Sequence, residues 1–285
     1  MQYVILNGEL IARVAAKVDI EDRGYQFGDG VYEMIRIYNQ KLFAGTEHLQ
    51  RLVDSTEKIS LELPYTISEM EQMLNDMIEK NKIKLGTVYL QFTRGVSMRN
   101  HAFPATGTPG TFVAYTKEVA RPINTMRSGV KAILKEDLRW LCCDIKSLNL
   151  LGNLLAKQKA VEADCFEAIL HRGELVTEGS VSNISILKDG VLFTHPANNF
   201  ILNGITRQKV LEICRNHQIP FEEKPFTISD LLSADEVYLS STTVEVTPIV
   251  EVDGKKINDG KPGPITVEIQ KLFEREIIRQ CGRIE

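Results

Sequence analysis

Residues 144–153 read DIKSLNLLGN, and Lys146 stands there among Ile145, Leu148, Leu150 and Leu151, just after Cys142 and Cys143. An amine carried into apolar surroundings is harder to protonate and becomes a usable nucleophile or base. The competing reading is a lysine that snorkels from a strand end into water. Glu178, in LVTEGSVSN, lies at a strand-to-loop junction, where its carboxylate either faces solvent or meets a cationic ring nitrogen. Residues 204–213, GITRQKVLEI, open an amphipathic helix with Gly204 at its start and Thr206 and Arg207 in its first turn. N–H groups at a helix start bind phosphate, although every helix has such an end. Ser240, Ser241, Thr242 and Thr243 form a hydroxyl run between two strands, able to donate to phosphate or to cap a turn.

Two further stretches carry candidate groups. In TRGVSMRNHAFP, residues 93–104, Arg99 and His101 stand two apart in a loop. An arginine fork holds a carboxylate bidentately and a histidine adds a donor; the alternative is a pair of ordinary exposed loop charges. DRGYQFGDGVYE, residues 22–33, has glycines at 24, 28 and 30. That spacing is not G-x-G-x-x-G and no helix is expected to follow, so a dinucleotide fingerprint is excluded. Tyr32, on the ensuing strand, is placed to point its hydroxyl into a cleft.

The elements that must position these groups can be read from turn signals and periodicity. MQYVILNGELI predicts a hairpin around Asn7-Gly8, and VYEMIRIYNQKLF a strand pair with a turn near Asn39-Gln40. TEHLQRLVDSTEKI predicts a helix carrying Leu49, Leu52, Val53 and Ile59, with Thr46 as its cap. In TISEMEQMLNDMIEKNK, Thr66 and Glu69 form a capping box, and Met70, Met73, Leu74, Met77 and Ile78 make a core-packing stripe. TVYLQFTRGV and GTFVAYTKEV follow as strands. Residues 119–130, VARPINTMRSGV, read as an extended linker. Beyond it come strands at VKAILKED and RWLCCDIK and a helix at NLLAKQKAVEAD. FEAILHRGELVTEGSVSNISILKDGVLFTH gives strands with turns at Arg172-Gly173 and Asp189-Gly190. Helices at ITRQKVLEICRNHQ and TISDLLSADE precede strands in EVYLSSTTVEVTPIVEVDGKKI. The expectation is an α/β or α+β fold: an N-terminal domain over 1–118, a linker over 119–130 and a C-terminal domain over 131–285.

The totals exclude several classes. A chain of 285 residues with 43% hydrophobic and 25% charged residues suits a soluble globular protein. Its net charge of -4 gives no case for a nucleic-acid or anionic-membrane partner. No apolar run approaches a membrane span, and MQYVILNGEL lacks the features of a signal peptide. Five cysteines without paired metal-ligand spacing read as free thiols in a reducing cytoplasm.

Taken together, DRGYQFGDGVYE, EHLQRL, DIKSLNLLGN, EGSVSN and LNGITR occur in the order seen in fold-type IV pyridoxal-phosphate enzymes. These include branched-chain aminotransferases, aminodeoxychorismate lyases and D-amino-acid transaminases. The chain resembles the last group most, over nearly its whole length. DIKSLNLLGN, AILHRGELVTEGS, THPANN and TRGVSMRNH are the most specific parts of that likeness.

The resemblance implies a two-domain PLP enzyme in which Lys146 forms the Schiff base with pyridoxal 5'-phosphate and shuttles the substrate α-proton. It implies that Glu178 sits against the pyridine nitrogen. Arg51, the backbone of Ile205 and Thr206, and the hydroxyls of Ser241 and Thr242 would hold the phosphate. Tyr32, Arg99 and His101 would bind the substrate carboxylate, with the loop bearing the latter two reaching over from the partner of a homodimer. The implied reaction is ping-pong exchange between D-amino acids such as D-alanine and 2-oxo acids such as 2-oxoglutarate, in the cytoplasm. An L-branched-chain aminotransferase, against which the Arg99-Asn100-His101 arrangement speaks, and an aminodeoxychorismate lyase are the rival readings. One departure stands out: Asn183-Ile184 is followed by Ser185, where the family pattern usually has an aromatic residue.

Overall fold

The computed structural model describes residues 2–284. The chain forms two compact units. The first is the described part of Met1–Ala120, Ile145–Asn149 and Ile277–Glu285; the second is Arg121–Asp144 with Leu150–Glu276. The units are therefore not contiguous in sequence, unlike the expected division at 118 and 131. Residues 145–149, which include Lys146, belong with the N-terminal elements.

In the first unit, β1 (Tyr3–Leu6) and β2 (Glu9–Ala12) form the hairpin expected at Asn7-Gly8. Both turn residues have positive φ, 52° and 86°, which asparagine and glycine accept most readily. A short helix α1 (Arg23–Phe27) leads into β3 (Gly30–Tyr38) and β4 (Lys41–Leu42). Then follow α2 (Gly45–Lys58), α3 (Ile67–Asn81), β5 (Leu85–Thr93) and β6 (Thr111–Glu118). The strands make one antiparallel sheet in the order β2-β1-β6-β5-β3-β4. Val31, Ile35 and Ile37 of β3 pack with Leu49 and Leu52 of α2 and Met70, Leu74 and Met77 of α3, all without solvent exposure. The period-2 alternation of β3 leaves Tyr32, Met34 and Arg36 on the opposite face.

The α3 capping box forms as expected: Thr66 Oγ1 accepts from Glu69 N–H, and the Glu69 carboxylate accepts from Thr66 N–H. Thr46, by contrast, does not cap α2. The cap lies two residues earlier, at Ala44, which is left-handed, and Thr46 donates instead to Glu71 Oε1 at 2.7 Å. The entry from β4 is tight, since a Cβ at Gly45, the first helical residue, would lie 3.0 Å from Leu42 Cβ.

The second unit opens with α4 (Ile123–Ser128), so the expected extended linker contains a helical turn and a half, which buries Met126. Its further elements are β7 (Val130–Glu136), α5 (Leu151–Glu162), β8 (Glu167–Arg172), β9 (Leu175–Gly179), β10 (Asn183–Lys188) and β11 (Val191–Thr194). After these come α6 (Ile205–Asn216), β12 (Phe221–Glu223), α7 (Ile228–Leu232), β13 (Glu236–Ser241), β14 (Glu245–Val252), β15 (Lys255–Lys256) and α8 (Pro264–Cys281). The mixed sheet runs β12-β11-β10-β13-β14-β7-β8-β9, with β15 paired to β14. β7 lies parallel to both of its neighbours. RWLCCDIK, expected as a strand, is irregular. Its backbone groups find distant partners instead: Cys143 N–H donates to Asn199 O, and Arg172 Nη2 donates to Arg139 O and Trp140 O.

Candidate active site

The first unit builds the surroundings of Lys146. Beyond the short β4, the edge of β3 is open at Gly30–Tyr32, and residues 146–148 fill it. Tyr32 N–H donates to Lys146 O at 2.9 Å, Leu148 N–H donates to Gly30 O at 3.0 Å, and Val31 bridges Ser147. Gly30 has to be a glycine here, because a Cβ would lie 2.6 Å from Phe92 O and 3.0 Å from Leu148 Cδ1. This pairing sets Lys146 Nζ 4.3 Å from the centre of the Tyr32 ring. Tyr32 stacks on Tyr89 at 5.8 Å, and Tyr89 packs against Tyr115 at 5.1 Å. Lys146 is half-buried, and the neighbouring Ile145 packs against the helix-covered core. The amine thus stands over an aromatic face, a favourable place for a cation.

On the other face of β3, Glu33 is wholly buried and takes three strong contacts. Arg51 donates Nε to Oε1 at 2.7 Å and Nη2 to Oε2 at 2.9 Å, and His48 Nδ1 lies 2.7 Å from Oε2. Burial alone would raise the Glu33 carboxyl, but Arg51 and His48 outweigh it and hold it at about 2. Burial also lowers His48, only partly opposed by Glu33. Arg51, expected as a phosphate ligand, therefore has a structural partner on its own unit.

Arg99 and His101 lie in the exposed loop between β5 and β6 and meet at Phe27 of α1. Arg99 Cζ is 4.4 Å from the ring centre and the His101 ring 5.6 Å away. The structure thus joins Lys146 to Tyr32, and Arg99 to His101. Among the described residues no hydrogen bond or ring contact links these two groupings.

The second unit builds the surroundings of Glu178 on β9. Its Oε1 accepts a very short contact from Arg139 Nη1. Its Oε2 accepts from Asn183 Nδ2 at 2.9 Å and Leu202 N–H at 3.1 Å. Arg139 is in turn clamped by Asp137, Nε to Oδ1 at 2.8 Å and Nη2 to Oδ2 at 2.9 Å. Arg172 Nε and Thr177 Oγ1 also donate to Asp137. Burial dominates at Glu178 and pushes its carboxyl up to about 7 against the pull of Arg139. The same arginine, with Arg172, holds Asp137 below the ordinary carboxylate range despite burial.

Asn183 ties Glu178 to the helix start expected to bind phosphate. Opening β10, it pairs with Ser240 of β13. A Cβ on Gly204 would lie 2.1 Å from Asn183 Oδ1, so the glycine lets the start of α6 close onto this asparagine. Among the described residues no side chain caps α6, and Ile205 and Thr206 are buried in its first turn. Ser240 Oγ is buried with no hydrogen-bond partner among the described residues, and Ser241 Oγ lies 3.5 Å from Thr243 Oγ1, with Thr242 half-buried between them. The turn from β9 to β10 is fixed by buried Glu167, whose carboxylate accepts from the hydroxyls of Ser180 and Ser182. Ser185, where the family pattern has an aromatic residue, lies opposite Tyr238 of β13 in the sheet register.

Sequence reasoning missed Arg139, Asp137, Asn183, Glu33, His48 and Phe27. A buried carboxylate implies a cationic partner, but nothing local selects Arg139 from the other arginines.

The family model for amino-transferase class IV matches residues 30–252. The chain is 52% identical over 277 residues to a D-alanine aminotransferase of Staphylococcus aureus (strain N315), covering 97% of this chain and 98% of that one. It is 53% identical over 284 residues to a D-alanine aminotransferase of Listeria monocytogenes serotype 1/2a (strain 10403S), covering 99% and 98%. Among solved structures, the branched-chain amino acid aminotransferase of Escherichia coli superposes with a TM-score of 0.89 at 28% identity, covering 95% and 93%.

Proposed function

The chain belongs to the amino-transferase class IV family, and from that premise we propose that it exchanges the amino group between D-amino acids and 2-oxo acids. In this reading the cofactor is pyridoxal 5'-phosphate, D-alanine is a donor and 2-oxoglutarate an acceptor, giving D-glutamate. The observation that carries the substrate class is the likeness to D-alanine aminotransferases at 52–53% identity over nearly the full length of both chains. The branched-chain reading is less well supported, since that relative shares the fold at 28% identity.

The residues present fit the cofactor. Glu178 is a buried carboxylate that stays up at about 7 despite Arg139, so it has capacity for a further cation such as a ring N–H. The unpartnered Ser240 hydroxyl and the uncapped start of α6 both adjoin Asn183 and leave donors for a phosphate. When bound, pyridoxal phosphate supplies an electron sink for negative charge at the substrate α-carbon.

The chain's own residues would then divide the work. Lys146 would hold the cofactor, take the proton from the α-carbon and return it. Asn183, Arg139 and the N–H of Leu202 would keep Glu178 oriented toward the ring nitrogen. The backbone of Ile205 and Thr206, the hydroxyls of Ser241 and Thr242, and Arg51 would retain the phosphate. Tyr32, Arg99 and His101 would orient the substrate carboxylate. A second copy of the chain fits the exposed apolar residues Leu138, Trp140, Leu141, Leu151, Leu154 and Leu155 of the second unit, so we read the enzyme as a homodimer. Among the described residues Cys142, Cys143, Cys165 and Cys214 are free thiols, which suits the reducing cytoplasm. Among the described residues no helix is long and apolar enough to cross a membrane.

A coupled assay on a panel of D- and L-amino acids with 2-oxoglutarate tests the reading. D-alanine is expected to turn over well above L-leucine. Faster turnover of L-leucine, or release of 4-aminobenzoate from the chorismate-derived substrate with no D-alanine activity, would overturn it.

A further inference from the structure

We propose that Phe27 is a positioning residue for substrate binding: its ring is the platform that presents Arg99 and His101 to the α-carboxylate of both amino-acid and oxo-acid substrates. The inference rests on the reading of Arg99 and His101 as the carboxylate-binding pair.

Three side chains converge on this one ring. Arg99 Cζ lies 4.4 Å from its centre, Arg23 Cζ 4.8 Å, and the His101 ring 5.6 Å, tilted by 54°. Arg99 and His101 are exposed and belong to a segment with no regular structure, so something other than a helix or strand must fix their directions. The backbone beside them is held by buried Arg23, whose Nη1 donates to Asn100 O at 2.6 Å and Ala102 O at 3.3 Å. Arg23 is itself paired to Asp29 at 2.8 Å. Those bonds fix the loop and leave the two side-chain directions to Phe27.

The platform is rigid for reasons written into α1. Asp22 caps the helix by accepting from Gly24 N–H at 2.8 Å and ties it to β5 by accepting from Thr93 Oγ1 at 2.9 Å. Gly24 has no alternative, since a Cβ would lie 2.3 Å from Thr93 Cγ2. After Phe27 the helix ends at Gly28, left-handed at φ 68°, whose carbonyl accepts from Asn149 Nδ2 at 3.3 Å. Asn149 closes the segment Ile145–Asn149, which belongs to the first unit, so the ring is anchored to the framework of that unit.

An apolar ring suits this task in a way a polar partner would not. A cation over an aromatic ring is held by the quadrupole, so its N–H donors are not consumed by an acceptor. The planar fork of Arg99 stays available for bidentate contact with a carboxylate. An aspartate or glutamate at position 27 would occupy that fork and offset its charge.

The test uses the holoenzyme with Phe27→Leu, which keeps apolar bulk and removes the ring, and Phe27→Tyr, which restores it. Arg99→Ala serves as the reference. Steady-state kcat and KM are measured for D-alanine and 2-oxoglutarate. Single-turnover loss of the visible cofactor band is followed with ethylamine, which is D-alanine without its carboxylate. Phe27→Leu should raise KM for both substrates roughly 3- to 10-fold with little change in kcat, leave the ethylamine rate unchanged, and be rescued by Phe27→Tyr. If Phe27→Leu does not fold, Phe27→Met is read by the same criteria. An unchanged KM in Phe27→Leu beside a raised KM in Arg99→Ala overturns the platform alone. An ethylamine rate that falls in proportion to that of D-alanine also overturns it, since the ring would then support the site in general. An unchanged KM in Arg99→Ala overturns the carboxylate reading, and the inference with it.

Discussion

Arg51 meets Glu33 fork to fork, Nε to Oε1 at 2.7 Å and Nη2 to Oε2 at 2.9 Å, inside a unit where Glu33 has no exposure at all. A carboxylate there is tolerable only with its partners in place, and His48 is the third member at 2.7 Å. The arginine that the family pattern assigns to the cofactor is therefore also an internal counterion. Its removal should cost stability as well as cofactor affinity.

The acid limb of stability follows from this cluster. Glu33 is held at about 2, against 4.5 for a free glutamate, so its stabilisation is complete above about pH 4.5 and is lost as pH falls through 2. His48 is lowered by burial, so the unfolded chain binds its proton first and stability also declines below the ordinary histidine range. The Glu33 share is on the order of 3 kcal/mol. Urea unfolding between pH 2 and 7 should show Glu33→Gln with a shallower decline below pH 4.5 than the parent. Parallel curves would contradict the assignment.

Glu178 carries the opposite sign. Its folded-state carboxyl is raised by burial to about 7, so its contribution is full below about pH 4.5 and lost as pH rises through 7. In cofactor-free protein, Glu178→Gln should therefore flatten the fall in stability between pH 5 and 8, measured by thermal unfolding. In the same variant kcat should drop roughly 100-fold, about 3 kcal/mol of barrier, because a neutral amide no longer favours a protonated ring nitrogen. A variant with both the parent pH slope and the parent kcat would remove Glu178 from the site.

Local chemistry made much of this legible and long-range pairing hid the rest. The α3 helix is readable because Thr66, Glu69 and the stripe from Met70 to Ile78 lie within four turns and agree with one another. Lys146 is noticeable because its neighbours are apolar. Its seat is not, since Tyr32 and Gly30 bond to it and to Leu148 across more than 100 positions. RWLCCDIK reads as a strand by composition, yet its backbone bonds go to Asn199 and Arg172, and no local pattern encodes that choice. Arg139 is missed for a related reason. Its two carboxylate partners flank it at positions 137 and 178, and only the fold brings all three together.

Lys146→Ala should abolish transamination while leaving the fold intact. The side chain is half-buried and its Nζ contact is to the Tyr32 ring, whereas the segment is held by its backbone: Lys146 O accepts from Tyr32, and Lys146 N–H lies 3.4 Å from Ser55 Oγ. A general base of this kind is worth about 10² to 10⁴ in rate. The variant should unfold within a few degrees of the parent and lose the visible band of lysine-bound cofactor. Retention of that band with full turnover would move the anchor elsewhere.

Gly204→Ala tests whether Asn183 couples the helix start to Glu178. A Cβ at position 204 would lie 2.1 Å from Asn183 Oδ1, too close to stand, so either the start of α6 or the asparagine must move. Movement of Asn183 weakens its bonds to Glu178 Oε2 at 2.9 Å and Leu202 O at 2.8 Å. Movement of α6 shifts the N–H groups of Ile205 and Thr206. Either way cofactor retention suffers before global stability does, because the φ of Gly204 is −62°, a conformation open to alanine without backbone strain. Titration with pyridoxal phosphate should show affinity weakened about 10-fold or more, the 1.4 kcal/mol of one lost hydrogen bond. The unfolding midpoint of cofactor-free protein should change little. Unchanged affinity with a lowered midpoint would mean that Gly204 serves packing alone.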